Sequence, residues 1–528
     1  MCGIFCHIGN NYETQILHEN FDKIKDRGPD YNILKCINNV YLGFHRLAIN
    51  DLSSNGNQPF HNNGVYLICN GEIYNHNFLK EKYNISTQST SDCEVILYMY
   101  EKFGFDQTCR VLDGVFSLII YNDNTKKLYI GRDPYGVRPL FIGYNELDEL
   151  FFSSEMKSIH NLCIHVKQFK PGFSFEYNIE DKTILYRNYY NFTIRIDKLR
   201  CNDFILAGIR NKLTSAVKKR LISDRPIGAL LSGGLDSSLI CGLISSMYDK
   251  KQKQNFNTFG IGIEGATDLE YSQKVANFIG SNHHQIICRE QDFIDAIPEV
   301  VYYTETYDIT TIRASVGNYL VGKYIKENTD ITVVFNGDGS DEQSGYYYLR
   351  NAPTADDFNN ECKKLLREIH YYDVLRSDRS VSSHWSLEAR TPFLDKEFVK
   401  FYMEIDPKLK MYNENHIEKY LLRKAFDGMN IIPDEILWRP KEAFSDGCSS
   451  ENRSWHKIIQ EYVETIISDD EFIKYKDKYT FNTPLTKESY WYRKLFEEYY
   501  PGKSNVIPHF WLPNWSNETD PSARELRE

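Results

Sequence analysis

The chain reads Ile-Gly-Ala-Leu-Leu-Ser-Gly-Gly-Leu-Asp-Ser-Ser from Ile227 to Ser238. The first half is a short apolar run that ends at a serine and two glycines, the pattern of a buried parallel strand turning into a loop. Apolar residues then follow at helical spacing: Leu239, Ile240, Leu243 and Ile244. The loop therefore lies at the start of a helix, where unpaired N–H groups and the helix dipole favour a phosphate. The stretch predicts an α/β domain with a phosphate-binding loop.

This loop is not a Walker loop, because it has no G-x-x-x-x-G-K-[ST] pattern and no lysine in the turn. It resembles the pyrophosphate loop of ATP pyrophosphatases, which split ATP between its α and β phosphates. The resemblance implies that Ser232, Gly233, Gly234 and Ser237 bind pyrophosphate. It also implies that Asp236 holds Mg²⁺ as an oxygen ligand. A glycine-rich turn without a ligand is the alternative interpretation.

Composition limits the kind of protein this is. The 528 residues carry a formal net charge of -11, which argues against a broad nucleic-acid surface. No apolar segment approaches the roughly 20 residues that span a bilayer, and no signal peptide opens the chain. The 12 cysteines are scattered without C-x-x-C spacing, which argues against zinc ribbons and disulfides. We expect a cytoplasmic protein with no nucleic-acid or membrane partner.

The second residue is a candidate nucleophile. Removal of Met1 would leave Cys2 with both a thiol and a free α-amine. An α-amine titrates near ~7.7–8.0, so it can accept the thiol proton at cellular pH. A cysteine at position two has no catalytic meaning by itself, and the interpretation depends on the motifs that follow.

Five motifs together resemble the glutaminase domain of class II amidotransferases, in that family's order. They are Met1-Cys-Gly-Ile-Phe, Arg27-Gly-Pro-Asp, His45-Arg-Leu, Asn70-Gly-Glu-Ile-Tyr-Asn and Ser91-Asp-Cys-Glu. Taken singly, each has another explanation: Asn70-Gly71 suits a hairpin turn, Ser91 to Glu94 suits a capping box, and His45-Arg46 suits a surface pair.

The glutaminase resemblance implies a role for each matching residue. Cys2 would attack the glutamine amide, and Asn70 with the N–H of Gly71 would form the oxyanion hole. Arg46 would bind the α-carboxylate through its planar fork. The remaining glutamine-binding residues implied by the resemblance are Leu47, Ala48, Ile49, Asn50, Glu72 and Asp92, of which Glu72 and Asp92 would hold the α-ammonium.

Two domains and a tail follow from the pattern along the chain. Alternating apolar residues between turn signals predict mainly strands over residues 2–190, and the glutaminase resemblance implies an α+β sandwich of antiparallel sheets between helices there. Alternating strands and helices predict an α/β ATP-pyrophosphatase domain with a doubly wound parallel sheet over residues 203–510. Residues 511–528 are rich in polar side chains and are expected to form a mobile tail.

Two later stretches resemble glutamine-hydrolysing asparagine synthetases. The segment Glu305-Thr-Tyr-Asp-Ile-Thr-Thr-Ile-Arg matches one that faces aspartate in that family, which implies aspartate contacts from Thr310, Thr311 and Arg313. The loop Asn336-Gly-Asp-Gly-Ser-Asp-Glu follows a strand, and its Asp341 would share Mg²⁺ with Asp236. The other residues implied to contact ATP are Leu230, Ile261, Asn336, Gly337, Asp373 and Lys441.

The pyrophosphate leaving group needs a counter-charge, and the loop from Ser232 to Ser237 contains no cation. Lys441 is expected to supply it. The sequence also departs from the family at three positions: Asn336, Asp338 and Ser344 stand where relatives commonly have Ser, Glu and Gly. Asp338 is expected to be catalytic, because it keeps the charge of the family's glutamate while withdrawing it by about one methylene. A shift of about 1 Å at such a position can cost on the order of 100-fold in rate.

The predicted function is asparagine synthesis from aspartate, ATP and glutamine through β-aspartyl-AMP, with AMP, pyrophosphate and glutamate as the other products. The resemblance also implies a homodimer. Two alternatives remain open. The protein could be a related adenylating amidotransferase with another carboxylate substrate, or it could hold ATP and glutamine without turnover.

Overall fold

A computed structural model describes residues 1–411, 417–450, 453–516 and 520–521. The chain folds into two compact units. Unit 1 consists of Met1–Phe192 with two short returning segments, Ile222–Arg225 and Ser382–Glu388, and unit 2 contains the rest. No helix among the described residues is long and apolar enough to cross a membrane.

Unit 1 is built mainly from strands. Its strands are β1 (Gly3–Ile8), β2 (Tyr31–Ile37), β3 (Val40–Arg46), β4 (Phe60–Asn62), β5 (Val65–Ile73), β6 (Gly114–Asn122), β7 (Lys127–Arg132), β8 (Phe141–Tyr144), β9 (Leu150–Ser153), β10 (His165–Gln168), β11 (Phe173–Asn178) and β12 (Ile184–Asn188). Its helices are α1 (Thr14–Phe21), α2 (His76–Tyr83), α3 (Val95–Phe103) and α4 (Phe105–Val111).

The strands of unit 1 form two antiparallel sheets, with strand orders β10-β8-β9-β1-β3-β2 and β12-β11-β7-β6-β5-β4. Their inner faces share one apolar core, to which Ile4, Phe44, Ile119 and Phe175 belong. Helices α3 and α4 pack on the outer face of the second sheet, and Phe21 of α1 packs on β1 at Phe5. Every residue of β1 is buried because the strand is covered on both faces. The predicted antiparallel sandwich between helices is confirmed.

The rest of the chain alternates between helices and short strands. The strands are β13 (Ile227–Leu230), β14 (Asn257–Ile263), β15 (Asn282–Cys288), β16 (Val333–Phe335) and β17 (Glu388–Arg390). The helices are α5 (Asn202–Lys219), α6 (Leu235–Met247), α7 (Lys250–Asn255), α8 (Thr267–Ile279), α9 (Glu290–Thr304), α10 (Ile309–Asn328), α11 (Asp341–Ser344), α12 (Ala355–Glu368), α13 (Ser380–Ser382), α14 (Lys396–Met403), α15 (Pro407–Lys410), α16 (Tyr420–Phe426), α17 (Asp434–Leu437), α18 (Phe444–Gly447), α19 (Trp455–Ile466), α20 (Asp469–Tyr475) and α21 (Lys487–Tyr499).

These strands form one sheet of order β15-β14-β13-β16-β17, in which β13 is parallel to β14 and β16, and β14 is parallel to β15. The chain runs outward from β13 to β15 and then returns to the other side of β13. The gap beyond the carboxyl ends of β13 and β16 is therefore a topological switch point, where open α/β sheets bind their ligands. The predicted α/β unit with a parallel sheet is confirmed.

The returning segments and the C-terminal tail go beyond the sequence prediction. The sequence predicts two continuous domains, 2–190 and 203–510, whereas the structure adds residues 222–225 and 382–388 to unit 1. Where the tail is described it is packed, since Trp511 lies against Tyr346 and Asp520 pairs with Arg313. The mobility expected of residues 511–528 stays a prediction. Residues 517–519 and 522–528 lie outside the described part of the chain.

Candidate active sites

Cys2 lies at the start of β1 beside the core between the two sheets of unit 1. Its Sγ is 3.7 Å from the carbonyl oxygen of Leu47, and its own carbonyl accepts a 2.9 Å hydrogen bond from Nε of Arg27. Met1 is buried. Burial raises the pKa of the Cys2 thiol to about 11 and lowers the pKa of the Met1 α-amine to about 5. The predicted base is a different group, the α-amine that Cys2 would carry after removal of Met1.

Asn70 lies on β5, which contacts β1. Its side chain is fully buried, and neither Nδ2 nor Oδ1 has a hydrogen-bond partner among the described residues. An unmet buried amide costs about 1–3 kcal/mol, so a ligand that bonds to it would recover that cost. The next residue must be glycine, because a Cβ on Gly71 would lie 2.4 Å from the carbonyl oxygen of Val115. These features suit an oxyanion hole.

Two buried carboxylates face one amide in unit 1. Nδ2 of Asn50 donates to Glu72 at 2.6 Å and to Asp92 at 3.2 Å, and the other oxygen of Asp92 accepts from the N–H of Ile73 at 2.6 Å. Glu72 and Asp92 are each about 95% buried. Two fixed carboxylates beside an amide can receive a substrate ammonium group.

The loop from Leu47 to Asp51 is held from several directions. The Arg46 guanidinium donates to the carbonyl oxygens of Ser53 and Asp51 and to Oδ1 of Asn57. These bonds account for three of its five N–H donors. Leu47, Ala48 and Ile49 are buried.

The returning segment Ile222–Arg225 completes this support. Asp224 accepts from the N–H of Asp51 at 2.9 Å and donates its own N–H to Ile49, while Arg225 donates to the carbonyl oxygen of Ala48. The loop that the sequence assigns to glutamine is thus fixed in part by residues far along the chain.

The second candidate site is a cavity in unit 2 at the carboxyl ends of β13 and β16. Most of the residues that the sequence assigns to ATP line it: Leu230, Ser232, Gly234, Asp236, Ser237, Ile261, Asn336, Gly337 and Lys441, together with Asp338, Asp341 and Thr310. Gly233 does not line the cavity, and Asp373 lines an adjoining smaller cavity.

The loop after β13 needs a glycine at position 233. Gly233 has a φ of +80°, and a Cβ there would lie 2.5 Å from the backbone nitrogen of Ser272. Gly337 in the loop after β16 is equally confined, since a Cβ would lie 2.7 Å from the nitrogen of Ser237. The hydroxyls of Ser232 and Ser237 are 3.0 Å apart. Two loops therefore meet at the start of α6, where N–H groups can receive phosphate oxygens.

Two carboxylates and two lysines meet at the edge of this cavity. Nζ of Lys419 lies 2.6 Å from both Asp236 and Asp341, and Nζ of Lys441 lies 3.4 Å and 3.1 Å from the same two residues. Although burial opposes it, the two lysines lower the pKa of Asp341. The other oxygen of Asp236, Oδ1, is buried and has no partner among the described residues.

The Asp236–Asp341 pair fits the predicted metal. Mg²⁺ in phosphate sites is commonly held by one or two carboxylates together with substrate phosphates. The described residues contain no group of three His, Cys, Asp or Glu that could hold a metal by themselves. The remaining ligands would have to come from a phosphate chain or from water.

Arg376 connects this cavity with the smaller one. It lies on a π-helical turn, Leu375–Arg379, and reaches Asp373 at 2.7 Å and both Asp338 and Glu342 at 3.9 Å. Burial, with Asp373 and Asp341 nearby, raises the pKa of Asp338 to about 6 against the opposing effect of Arg376 and Lys441. One guanidinium thus lies within 4 Å of three carboxylates beside the predicted nucleotide site.

The three residues assigned to aspartate have different surroundings. Oγ1 of Thr310 is buried without a partner among the described residues and lies where the two cavities adjoin. The hydroxyl of Thr311 donates to Asp308 at 2.8 Å. The Arg313 guanidinium makes four bonds of 2.6–2.9 Å to Glu488 and Asp520. It lines neither of those two cavities but a third, smaller one that Thr310 also lines, so its contact with aspartate stays a prediction.

Sequence reasoning missed Lys419 and Arg376. Arg376 closes the stretch Tyr372-Asp-Val-Leu-Arg, and the carboxylates near it are a signal that a cation was needed there. Lys419 belongs to no recognisable motif, and its partners are more than 75 residues away along the chain.

Comparison with known proteins gives matches over the whole chain. A family model described as a glutamine amidotransferase domain matches residues 1–193, and one described as asparagine synthase matches residues 208–361 and 343–523. Glutamine-hydrolysing asparagine synthetases from Cricetulus griseus and Homo sapiens are each 42% identical over 559 aligned residues, covering 100% of this chain and 98% of theirs. The protein of that name from Gallus gallus is 41% identical, with 100% and 99% covered.

Similarity to solved structures is weaker. Glutamine phosphoribosylpyrophosphate amidotransferase from B. subtilis shares 16% identity at a TM-score of 0.32, covering 54% of this chain and 81% of that chain. NMN synthetase from Francisella tularensis shares 10% identity at a TM-score of 0.24, covering 57% and 93%. Scores this low carry no argument about this protein.

Proposed function

The chain belongs to the glutamine-hydrolysing asparagine synthetase family, and we propose which of its residues carry out the two half-reactions. It is an ATP-dependent ligase that forms asparagine, with glutamine, aspartate and ATP as substrates by family. The two alternative functions are not favoured, because asparagine synthetases match the chain from end to end.

The glutaminase half-reaction is assigned to unit 1. The Cys2 thiol attacks the glutamine amide carbon, the C–N bond breaks, and the thiol proton leaves with ammonia. Water then cleaves the thioester to glutamate. Asn70 and the N–H of Gly71 receive the oxyanion, Glu72 and Asp92 hold the α-ammonium, and Arg46 with the loop Leu47–Asn50 orients the α-carboxylate. The support is the unmet amide of Asn70 and the carboxylate pair at Asn50.

The synthetase half-reaction is assigned to the large cavity of unit 2. The β-carboxylate of aspartate attacks the α-phosphorus of ATP, and the bond to pyrophosphate breaks. Ammonia then attacks the acyl carbon of β-aspartyl-AMP and releases AMP. Ser232, Gly233, Gly234 and Ser237 bind the phosphates, while Ile261 and Leu230 contact the nucleoside, with Asn336 and Gly337 beside them. Lys441 balances the charge that develops on the leaving group.

Aspartate is assigned to the region where the two cavities adjoin. Thr310 offers an unpaired hydroxyl there, and Arg376 offers a cation for a substrate carboxylate. Asp373 and Glu342 are available for the α-ammonium. Asp338 stands between this region and the nucleotide site, so it is proposed to act on the adenylate.

Mg²⁺ is the proposed metal at Asp236 and Asp341. When bound, it would supply positive charge to the phosphate oxygens at the reacting end of ATP. The buried Oδ1 of Asp236 supports this assignment, because it is an oxygen that no described residue satisfies.

The observation that carries the proposal is that one cavity, at the switch point of the sheet, is lined by the glycine-containing loop after β13 and by Asp236, Asp341 and Lys441. The test is mass-resolved product analysis of the purified protein with MgATP, aspartate and glutamine labelled at the amide nitrogen. Labelled asparagine with equal AMP is expected. Glutamate without AMP would mean that the assignment of the unit 2 cavity is wrong.

A homodimer is a proposal from the family resemblance, and a cytoplasmic location is a proposal from the sequence composition. Sedimentation equilibrium of the purified chain tests the first, with twice the 61.9 kDa chain mass expected. Cell fractionation with an antibody to the chain tests the second.

A further inference from the structure

Lys419 occupies a position that a cation-binding site would leave for the cation. Its Nζ lies 2.6 Å from Oδ2 of Asp236 and 2.6 Å from Oδ1 of Asp341, and its side chain has no solvent exposure. Asp236 and Asp341 are the two carboxylates assigned to the metal. A lysine that bridges both of them shields their mutual repulsion from inside the site.

The structure holds Lys419 there at a conformational cost. Its backbone has φ +59° and ψ 26°, in the left-handed region that residues with a side chain rarely adopt. The preceding residue anchors the turn, since Glu418 accepts from Nη2 of Arg423 and from the N–H of Lys441, both at 2.6 Å. The same anchor therefore fixes the backbone positions of both lysines.

The charges of the cluster balance without any metal. Asp236 and Asp341 contribute two negative charges, and Lys419 and Lys441 contribute two positive charges at 2.6–3.4 Å. A bare divalent cation entering this cluster would add its charge against two ammonium groups. The complex of a divalent cation with a triphosphate carries a net negative charge. Its phosphate oxygens can replace the two carboxylates as partners of the lysines.

We propose that Lys419 is a built-in counter-cation that keeps free Mg²⁺ out of the Asp236–Asp341 pair and yields that place only when the nucleotide is present. This inference rests on the proposed assignment of the metal and ATP to this cavity. Lys419 acts here as a positioning residue, because it sets the two carboxylates and is not required to touch the reacting atoms.

The test uses Mg²⁺ alone, without nucleotide, and follows the Tm of the full-length chain. In EDTA, Lys419→Met leaves two facing buried carboxylates with one lysine, so the Tm falls by about 5–10 °C. Millimolar Mg²⁺ then raises the Tm of Lys419→Met by at least about 3 °C and that of the wild type by less than about 1 °C.

Two controls separate this effect from others. Lys410→Met removes another buried lysine, one bound to Asn359 Oδ1 and the Met403 sulfur, and its Tm should not respond to Mg²⁺. Adding Asp236→Asn to Lys419→Met should abolish the response. A wild type that responds to Mg²⁺ as strongly as Lys419→Met would overturn the proposal, as would a Lys419→Met variant that gives no response.

Electron paramagnetic resonance of Mn²⁺ with the wild type gives a second measurement, which does not depend on the variant folding. Site-bound signal is expected only after ATP is added, and the same signal without ATP contradicts the proposal. Failure of labelled asparagine to form would count against the proposed function. The metal-only experiments would still report on Lys419.

Discussion

The glutaminase site of unit 1 and the synthetase cavity of unit 2 hold their polar groups by different means. Among the residues assigned to glutamine in unit 1, Arg46 donates to loop carbonyls, and Glu72 and Asp92 accept from the amide of Asn50. Around Asp236 the charges bond to one another, through Lys419, Lys441 and Arg376. The first site can accept a zwitterion without rearranging, whereas the second must exchange ion-pair partners when a charged nucleotide enters.

The largest expected effect separates the two sites through the thiol. Cys2→Ala should lower glutamine-dependent asparagine synthesis by at least about 10³-fold and leave synthesis from added ammonia within about twofold, because only unit 1 loses its nucleophile. Asparagine is measured by chromatography with each nitrogen source. Cys6→Ala, which removes a buried thiol from the same strand, is the control. An equal loss of asparagine synthesis with both nitrogen sources would contradict the assignment of the two half-reactions to separate sites.

Lys441→Met should give the opposite pattern. Loss of the cation beside Asp236 and Asp341 should reduce asparagine synthesis from either nitrogen source by about 10²–10³-fold, while hydrolysis of glutamine without ATP continues. Glutamate release and AMP formation are measured separately. Lys410→Met serves as a buried-lysine control. A matching loss of glutamate release would show that the two sites are not independent.

Asn70→Ala sharpens the description of the glutaminase site. If the unmet amide is an oxyanion donor, its removal should lower kcat for glutamine hydrolysis by about 10²-fold and change KM little. Steady-state glutamate release gives both constants. An Asn70→Ala variant whose KM rises while kcat is unchanged would make Asn70 a substrate-binding residue instead.

Asp338 tests whether placement or charge matters more in the synthetase cavity. Asp338→Asn should lower kcat for ammonia-dependent synthesis by about 10–100-fold, because it removes a carboxylate 3.9 Å from Arg376. Asp338→Glu keeps the charge and should stay within about tenfold of the wild type. Glutamine hydrolysis is the internal control for both variants. Equal losses of kcat in Asp338→Asn and Asp338→Glu would mean that the position of the carboxylate matters more than its charge.

The smallest effect should come from Asp520. Asp520→Asn weakens one of the two carboxylates on Arg313, so unfolding should become easier by about 1–3 kcal/mol, seen as a lower Tm, with KM for aspartate unchanged. Glu488 remains paired with Arg313 in this variant. If the KM for aspartate rose tenfold or more, Arg313 would have to contribute to aspartate binding.

The sequence alone determined the two folds and suggested the residues proposed for each site, because local patterns carry that information. The apolar run into Ser232-Gly233-Gly234 specifies a strand, a tight loop and a helix start within twelve residues. The order of the glutaminase motifs likewise placed Cys2, Asn70 and Asp92 in one domain. Where the chemistry depends on neighbours in the chain, local motifs are enough to propose the residues before the fold is known.

Only the tertiary structure decided which charges pair. Lys419 reaches Asp236 across 183 residues, and Arg313 is engaged by Asp520 across 207 residues. No local pattern distinguishes a lysine that will be buried between two carboxylates from one that will be solvated, because burial and partners are fixed by long-range packing. For the same reason, no local pattern indicated that Arg313 would bond to Glu488 and Asp520.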